Sequence, residues 1–381
     1  MDFQGSKMAT IQKLRDYLPR LSHWHYLNYA RTGPILSPAV DLLKKMSEEA
    51  AEPLTFHSEK WTELFEGARA SVARLINADE DEIAFVRSTS EGLSLVANSV
   101  RWKKDDRVLY PADEFPSNRI VWENLIHKGV KAEAIAPQQN VSFAQQIVKM
   151  NLSHVRLVAV SAVSYWDGRI HDIAEIVRVC HAHGILVVVD AIQALGAVPF
   201  DVRKTGCDFL AAGGQKWLFG PLGSGFVYIR KERLEELFVS NAGWMSVKDY
   251  MNLEADKSDF VDSARRFESG TQDIATIAAL GSSIDVMHEI GWSKIFSAVS
   301  YWNEVAQKGL KSLGYQPMHE GTRSGIVAIR LNSHSLAEKL KKRFLDRKII
   351  LVQRNDYLRV SAHASATQAD FDAFFEAMKD Y

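Results

Sequence analysis

Lys216 lies in a glycine-rich stretch, Gly213-Gly214-Gln215-Lys216-Trp217-Leu218-Phe219-Gly220-Pro221, downstream of an aspartate that ends an apolar run. That run is Ile185-Leu186-Val187-Val188-Val189-Asp190, followed by Ala191-Ile192-Gln193. A lysine held in an apolar cleft loses basicity by desolvation, which favours imine formation with a carbonyl. A carboxylate on a buried strand end is costly unless paired, and the proton of a pyridinium nitrogen would satisfy it. These are the two groups a pyridoxal phosphate site needs: a lysine to form the Schiff base and an acid to keep the ring nitrogen protonated. Each has a plainer reading. Asp190 alone fits a cap of the next turn, and Lys216 alone fits a solvated loop. Trp217, Leu218 and Phe219 oppose the second, because an exposed loop rarely carries three large apolar residues in succession. Gln193, one turn beyond Asp190, and the lysine itself oppose the first.

Two further patterns could hold ligands. Arg87-Ser88-Thr89-Ser90-Glu91-Gly92 sits between a strand and a helix, where hydroxyls and backbone N–H groups suit a phosphate dianion. Ser88 to Glu91 also matches a capping box, which needs no ligand. The two readings are compatible, since a cap can leave Thr89 and Ser90 free for phosphate. Arg359, on a predicted strand, and Arg31, in the irregular segment Asn28 to Pro34, could each clamp a substrate carboxylate. A surface salt bridge is the commoner fate of an arginine, and the residues alone favour it for both.

The elements that must position these groups alternate. Glu82 to Val86, Arg107 to Tyr110, Val155 to Ser161, Ile185 to Val189, Phe209 to Ala212 and Gly225 to Ile229 read as strands. Helical spacing follows at Leu93, Val96, Ala97 and Val100, at Asn118 to His127, and at Ile173, Ile176, Val177 and Cys180 after Asp172. The β-branched run before Asp190 predicts a strand buried on both faces. The alternation predicts an α/β fold with a mostly parallel sheet flanked by helices and ligands at the carboxyl ends of its strands. Composition shifts after about residue 285. Ile326 to Leu331, Leu336 to Phe344, Ile349 to Val352, Leu358 to Ser361 and Phe371 to Met378 form a strand-helix-strand-strand-helix unit. The expected organisation is an N-terminal segment, 1–25, whose helix Ile11 to Leu18 packs with the small domain. A large cofactor-binding domain spans 26–284 and a smaller α+β domain 285–381.

A chain of 381 residues, 46% hydrophobic, can bury a large core. Its net charge of −1, from 46 basic and 47 acidic residues, gives no electrostatic footprint for nucleic acid or an anionic membrane. The two cysteines, Cys180 and Cys207, offer no disulfide framework or metal cluster, as expected of a reducing compartment. No stretch approaches a membrane span, and Met1 to Thr10 lacks the order of a signal peptide. The expected location is the cytoplasm.

From Tyr26-Leu27-Asn28-Tyr29-Ala30 through Asp190, Gln193 and Lys216 to Arg359, the chain resembles the class V aminotransferase family, which includes cysteine desulfurases, kynureninases and isopenicillin N epimerase. The resemblance implies the fold type I architecture of pyridoxal phosphate enzymes. It makes Lys216 the Schiff-base lysine, sets Asp190 at the pyridine nitrogen and brings Gln193 to the ring hydroxyl. Thr89 and Ser90 match the family's phosphate-binding Thr-Thr, and Gln215 takes the place of a histidine near phosphate. Ser269-Gly270-Thr271-Gln272 resembles the segment whose threonine reaches the phosphate of the other subunit, which implies a homodimer. Arg359 matches the arginine of the substrate α-carboxylate, which reverses the salt-bridge reading for it.

The departures bear on the reaction. Phe115, in Glu114-Phe115-Pro116-Ser117-Asn118, replaces the histidine that desulfurases stack on the ring. An aromatic face can stack there, for about 0.5–1.5 kcal/mol, but cannot shuttle protons. Tyr165 stands where desulfurases have an asparagine, and Ile349 to Tyr357 lacks their mobile cysteine. Cys180 and Cys207 read as packing residues. Arg31 occupies a position where relatives often carry a small residue, and it is expected to give a second carboxylate contact, favouring a dicarboxylic substrate or 2-oxoglutarate. An ion pair with a neighbouring acid is the plainer alternative. The expected activity is that of an aminotransferase acting at the Cα of a small amino acid. An epimerase or a kynureninase- or cysteine-lyase-like enzyme is the alternative, ahead of a desulfurase or a non-catalytic binding protein.

Overall fold

The computed structural model describes residues 12–53, 59–252, 259–331 and 333–379. A helix at 12–16 (α1) leads to β1 (His25–Tyr26), α2 (Ser37–Ala50) and α3 (Glu59–Ile76). Strands and helices then alternate: β2 (Ile83–Val86), α4 (Thr89–Ser99), β3 (Arg107–Pro111), α5 (Ser117–Glu123) and β4 (Lys131–Ile135). Next come α6 (Phe143–Val148), β5 (Val155–Ser161), α7 (Ile173–His181), β6 (Leu186–Asp190), α8 (Val202–Thr205), β7 (Phe209–Gly213) and β8 (Gly225–Ile229). Two long helices follow, α9 (Ile274–Ile290) and α10 (Trp292–Ser312). The chain closes with β9 (Ile326–Arg330), α11 (His334–Asp346), β10 (Ile349–Ile350), β11 (Val352–Arg354), β12 (Tyr357–Ser361) and α12 (Gln368–Met378).

Seven strands form the central sheet in the order β2-β8-β7-β6-β5-β3-β4. The run from β7 to β4 is parallel, and β8 is antiparallel to both of its neighbours. Consequently β2 points the same way as β7, and the carboxyl ends of β2, β3, β5, β6 and β7 share one edge. This is the α/β, fold type I architecture, with a mostly parallel sheet flanked by helices. Alternation along β6 explains its burial. Val187 and Val189 face one apolar cluster while Leu186 and Val188 face the other, so both sheet faces are covered. Burying each such side chain contributes about 1.5–3 kcal/mol.

Local chemistry sets the helix ends that matter here. Asp172 caps α7 by accepting from the Glu175 N–H at 3.0 Å, and Ile173, Ile176, Val177 and Cys180 all face inward. Ser88 caps α4 by accepting from the Glu91 N–H at 3.2 Å. The reciprocal half of the expected capping box is absent: the Glu91 carboxylate turns to the Arg87 N–H, at 2.6 Å, and to the Arg87 guanidinium. The helix expected at Asn118 to His127 divides into α5 and a 3-10 turn at Asn124–Lys128, ended by Gly129 at φ 75°. β4 shows no full burial along its length, so it lacks the apolar signal of the inner strands.

The C-terminal region has its own three-stranded antiparallel sheet, β11-β12-β9, over a separate apolar cluster. The single strand expected at Ile349 to Val352 is two strands. β10 pairs in parallel with β1, while β11 pairs with β12. Residue 285 falls inside α9, and Ile284, Met287 and Ile290, with Ile295 and Val299 of α10, belong to the main core. From Trp302 onward α10 packs on the C-terminal cluster instead. The N-terminal segment touches both regions. Leu14 and Leu18 enter the main core, whereas Arg15 and His25 reach Asp370 of α12. The start of the expected first helix, Ile11, lies outside the described residues. Among the described residues no helix is long and apolar enough to cross a membrane, and no group of three His, Cys, Asp or Glu could hold a metal ion.

Candidate active site

Asp190 ends β6, in register between Ser161 of β5 and Ala211 of β7. It is 3% exposed, and its Oδ1 accepts one bond, from the Ile192 N–H at 3.0 Å. Burial pushes its carboxyl up to about 6, against the opposing pull of that N–H and of the Lys216 charge. An acid with so few partners at the mouth of a sheet is built for a cation beside it.

Lys216 follows β7. The loop carrying it is pinned by close packing. A Cβ on Gly33 would lie 2.1 Å from the Lys216 carbonyl oxygen, and the Gly33 N–H donates to the Gln215 carbonyl at 2.8 Å. Trp217, Leu218 and Phe219 are buried, so the loop is not solvated. The Trp217 indole N–H donates to Gln193 Oε1 at 2.8 Å, and Gln193 Nε2 donates to the Ala30 carbonyl at 2.9 Å. Gln193 therefore braces the lysine loop against the segment that carries Arg31 as well as lining the cavity. Lys216 Nζ lies 5.8 Å from the centroid of the Phe115 ring, which meets the Tyr165 ring edge-on at 5.1 Å. Burial lowers the Lys216 ammonium to about 8; Asp190 opposes that shift and Arg359 adds to it.

At the start of α4, Thr89 is buried and its Oγ1 accepts from the Gly213 N–H at 2.9 Å. The Ser90 hydroxyl meets that of Ser117 at 2.7 Å. Each hydroxyl keeps capacity for a further bond. Gln215 lies over Gly213, where a Cβ would come 2.3 Å from its Oε1. From the other side, Arg359 stands mid-strand in β12, 6% exposed. Its Nη1 donates to the Tyr165 carbonyl at 2.6 Å, and its Nε is buried with no partner.

One cavity of about 420 Å³ is lined by Arg31, Thr89, Ser90, Phe115, Tyr165, Asp190, Gln193, Gln215, Lys216 and Arg359 together. Thr271 is exposed and does not line it. Neither cysteine does: Cys180 and Cys207 are fully buried in the main core, and burial pushes both thiols up to about 12. Sequence reasoning missed Arg354, Tyr357, Trp166 and Ser161, which also line the cavity. It missed, too, the role of Glu114, whose buried carboxyl receives the Ser161 N–H at 2.5 Å and the Ser161 hydroxyl. Burial, with the Asp190 charge adding to it, pushes Glu114 up to about 8, which favours its protonated form. Its position after the third strand was the available signal.

The family model for class-V aminotransferases matches residues 25–365, most of the chain. The chain belongs to this family. Its relatives carry several names. One, named "Probable cysteine desulfurase", from Methanothermobacter thermautotrophicus, is 35% identical over 76% of this chain and 72% of its own length. Isopenicillin N epimerase from Streptomyces clavuligerus is 28% identical over 92% of this class-V chain and 93% of its own. Among solved structures, a lysine-to-alanine mutant of C-DES with glycine covalently linked to its PLP cofactor superimposes with a TM-score of 0.91. It is 21% identical and is matched over 96% of this chain and 99% of its own.

Pyridoxal phosphate is the cofactor of this class-V enzyme, and the residues fit it. The cavity joins an under-partnered buried acid, a lysine of lowered basicity and a hydroxyl-rich helix start. Taken as the amine proposed to capture the cofactor, Lys216 has a measurable signature in its lowered basicity. Neutral amine is the reactive form. With a pKa of about 8, roughly a tenth of Lys216 is neutral at pH 7, against about one part in 3,000 at the ordinary 10.5. The rate of covalent cofactor capture, followed by rapid-mixing absorbance, is expected to rise about tenfold from pH 6 to 7 and to level above pH 8. A rate still climbing tenfold between pH 8 and 9 would contradict the lowered value.

Proposed function

We propose that this chain is an aminotransferase acting at the Cα of a small amino acid. The convergence of Lys216, Asp190 and Arg359 on one cavity carries that reading. When bound, pyridoxal phosphate supplies an electron sink for the bond broken at Cα. In this reading Asp190 holds the proton on the ring nitrogen. Thr89, Ser90, Gln215 and the N–H groups that open α4 hold the phosphate, and Phe115 and Tyr165 cover the ring. Arg359 fixes the α-carboxylate bidentately and so orients the substrate. Lys216 Nζ, its basicity lowered by burial, would be the group that takes the Cα proton and holds it for return. The absence of a cysteine among the described residues lining the cavity speaks against a desulfurase that accepts sulfur on its own thiol.

An epimerase is the second reading, favoured by the near full-length match to isopenicillin N epimerase. An amino-acid panel followed by absorbance separates the two. The expected result is a spectral change that a 2-oxo acid reverses. Loss of α-deuterium without 2-oxo acid would replace transfer by epimerisation, and release of pyruvate or alanine would replace it by a lyase reaction.

The reading extends to a homodimer in which Thr271 reaches the phosphate of the partner subunit. Thr271 is exposed, and Leu222, Phe238, Trp244 and Met251 leave large apolar surface uncovered, at 75%, 59%, 48% and 70% exposure. Sedimentation is expected to give a dimer. Thr271→Ala is expected to weaken cofactor binding about tenfold, the worth of one hydrogen bond to a charged group. Unchanged affinity by absorbance titration would remove Thr271 from the site.

A further inference from the structure

Three guanidinium groups meet at the cavity: Arg359 from β12, Arg354 from the end of β11 and Arg31 from the loop after β1. With Lys216, they make four cations against one lining carboxylate, Asp190. Among the described residues, none of the three arginines forms an ion pair. The acid closest in sequence to Arg354 is already engaged, since Asp356 accepts from Arg330 at 2.7 Å. Like charges gathered without an acid repel one another, and Arg354 and Arg31 both depress Arg359 beyond what burial does. Such a cluster is balanced by an anion supplied from outside.

The β11–β12 register sets the spacing. Val352 stands opposite Arg359 and Arg354 opposite Tyr357, and all four line the cavity. Arg354 is therefore two residues along the hairpin from the Arg359 pair, on the same face, at about 7 Å. That is the spacing of their Cα atoms, which places both long side chains at the same end of the cavity. The hairpin is held rigid at this point. Tyr357 stacks on Trp166 with centroids 4.1 Å apart and planes 6° from parallel, and its hydroxyl donates to the Trp166 carbonyl. The Arg330 guanidinium packs 5.0 Å from the Trp166 ring centroid. The groups suited to the cofactor phosphate, Thr89, Ser90, Ser117 and Gln215, come from α4, α5 and the lysine loop instead, leaving the arginines for substrate.

We propose that Arg31 and Arg354 bind a second carboxylate, carried on the side chain of the amino acid or 2-oxo acid whose α-carboxylate Arg359 holds. The site then selects short dicarboxylic substrates. This rests on the aminotransferase reading only in placing the α-carboxylate at Arg359. Both distal arginines are exposed, so the first encounter with the substrate is electrostatic and salt-sensitive.

Calorimetric titration of the holoenzyme with glutarate and with butyrate tests the proposal without turnover. Glutarate is expected to bind at least about tenfold tighter, the worth of one charge-assisted contact, and the margin should shrink as salt is added. In Arg31→Ala and Arg354→Ala the glutarate-to-butyrate ratio is expected to fall severalfold, and in the double variant to approach one. Circular dichroism and the cofactor absorbance band report that each variant is folded and loaded. Equal binding of the two acids by the wild-type holoenzyme, or a ratio unchanged in the double variant, would overturn the proposal and leave the cofactor reading intact. A chain that takes up no pyridoxal phosphate would overturn both. If 3-phosphonopropionate bound more than about tenfold tighter than glutarate, a phosphorylated side chain would displace the carboxylate assigned here.

Discussion

Lys216→Ala is expected to lower kcat by about a thousandfold or more, within the range of a positioned general base and beyond what a peripheral contact supplies. Among the described residues that line the cavity Lys216 is the only lysine, so no second amine can take its place. The loss should be chemical and not structural. Trp217 remains held by Gln193, and Gly33 still packs on the loop backbone, so truncating one side chain that ends in the cavity leaves the main-chain contacts in place. Two signatures separate the proposed role from general damage. Borohydride should fix the cofactor to the wild-type chain and fail to do so in the variant. Methylamine, a small external base, should restore part of the rate, because the missing group is an amine at a defined place. Retention of more than about a tenth of wild-type kcat would exclude Lys216 as the base.

The reasons this site was legible in the sequence, and where it was not, follow from the range of the interactions. Asp190 and Lys216 announce themselves locally. A β-branched run ends in an acid, and glycines beside large apolar residues flank a lysine; the structure turns both into buried groups of one cavity. β5 and β8 fall on the residues that periodicity indicates, because strands covered on both faces carry dense apolar signals. β4 gave no such signal, being only partly covered. Arg354 was invisible for a different reason. An exposed charged residue in a short hairpin looks like solvated surface, and only the pairing of Val352 with Arg359 brings it to the cavity. The split between β10 and β11 is likewise decided by β1, hundreds of residues earlier in the chain, and no local pattern contains that partner. Glu114 shows the limit of motif reading. It sits beside Phe115 in the sequence, yet its chemistry comes from Ser161 and Asp190.

Asp190→Asn is expected to move activity and stability in opposite directions. Asparagine keeps the size of the side chain and can still accept from the Ile192 N–H. It cannot carry the negative charge proposed to hold a proton on the ring nitrogen, so kcat is expected to fall about 10²–10³-fold, as when a preorganised electrostatic partner is removed. In the cofactor-free chain the same charge is a liability. Moving the carboxyl from 3.8 to about 6 in a fully buried place corresponds to about 3 kcal/mol of destabilisation at pH 7. The sign follows from linkage. The raised folded-state value means that folding favours the protonated acid. The penalty is therefore absent below about pH 4, grows through the interval up to about 6 and is complete above it. Denaturant unfolding of the apo-proteins should accordingly find Asp190→Asn more stable than wild type by up to about 3 kcal/mol at pH 7–8, with the difference fading toward pH 4. Adding pyridoxal phosphate should reverse the ranking, since the cation beside Asp190 makes its charge favourable and ligand binding stabilises the folded state. A variant that is less stable than wild type without cofactor, or as active with it, would mean that Asp190 serves the fold and not the ring. Asp190 would then be a charge that the fold alone does not favour, a trade between stability and activity set at a single buried oxygen pair.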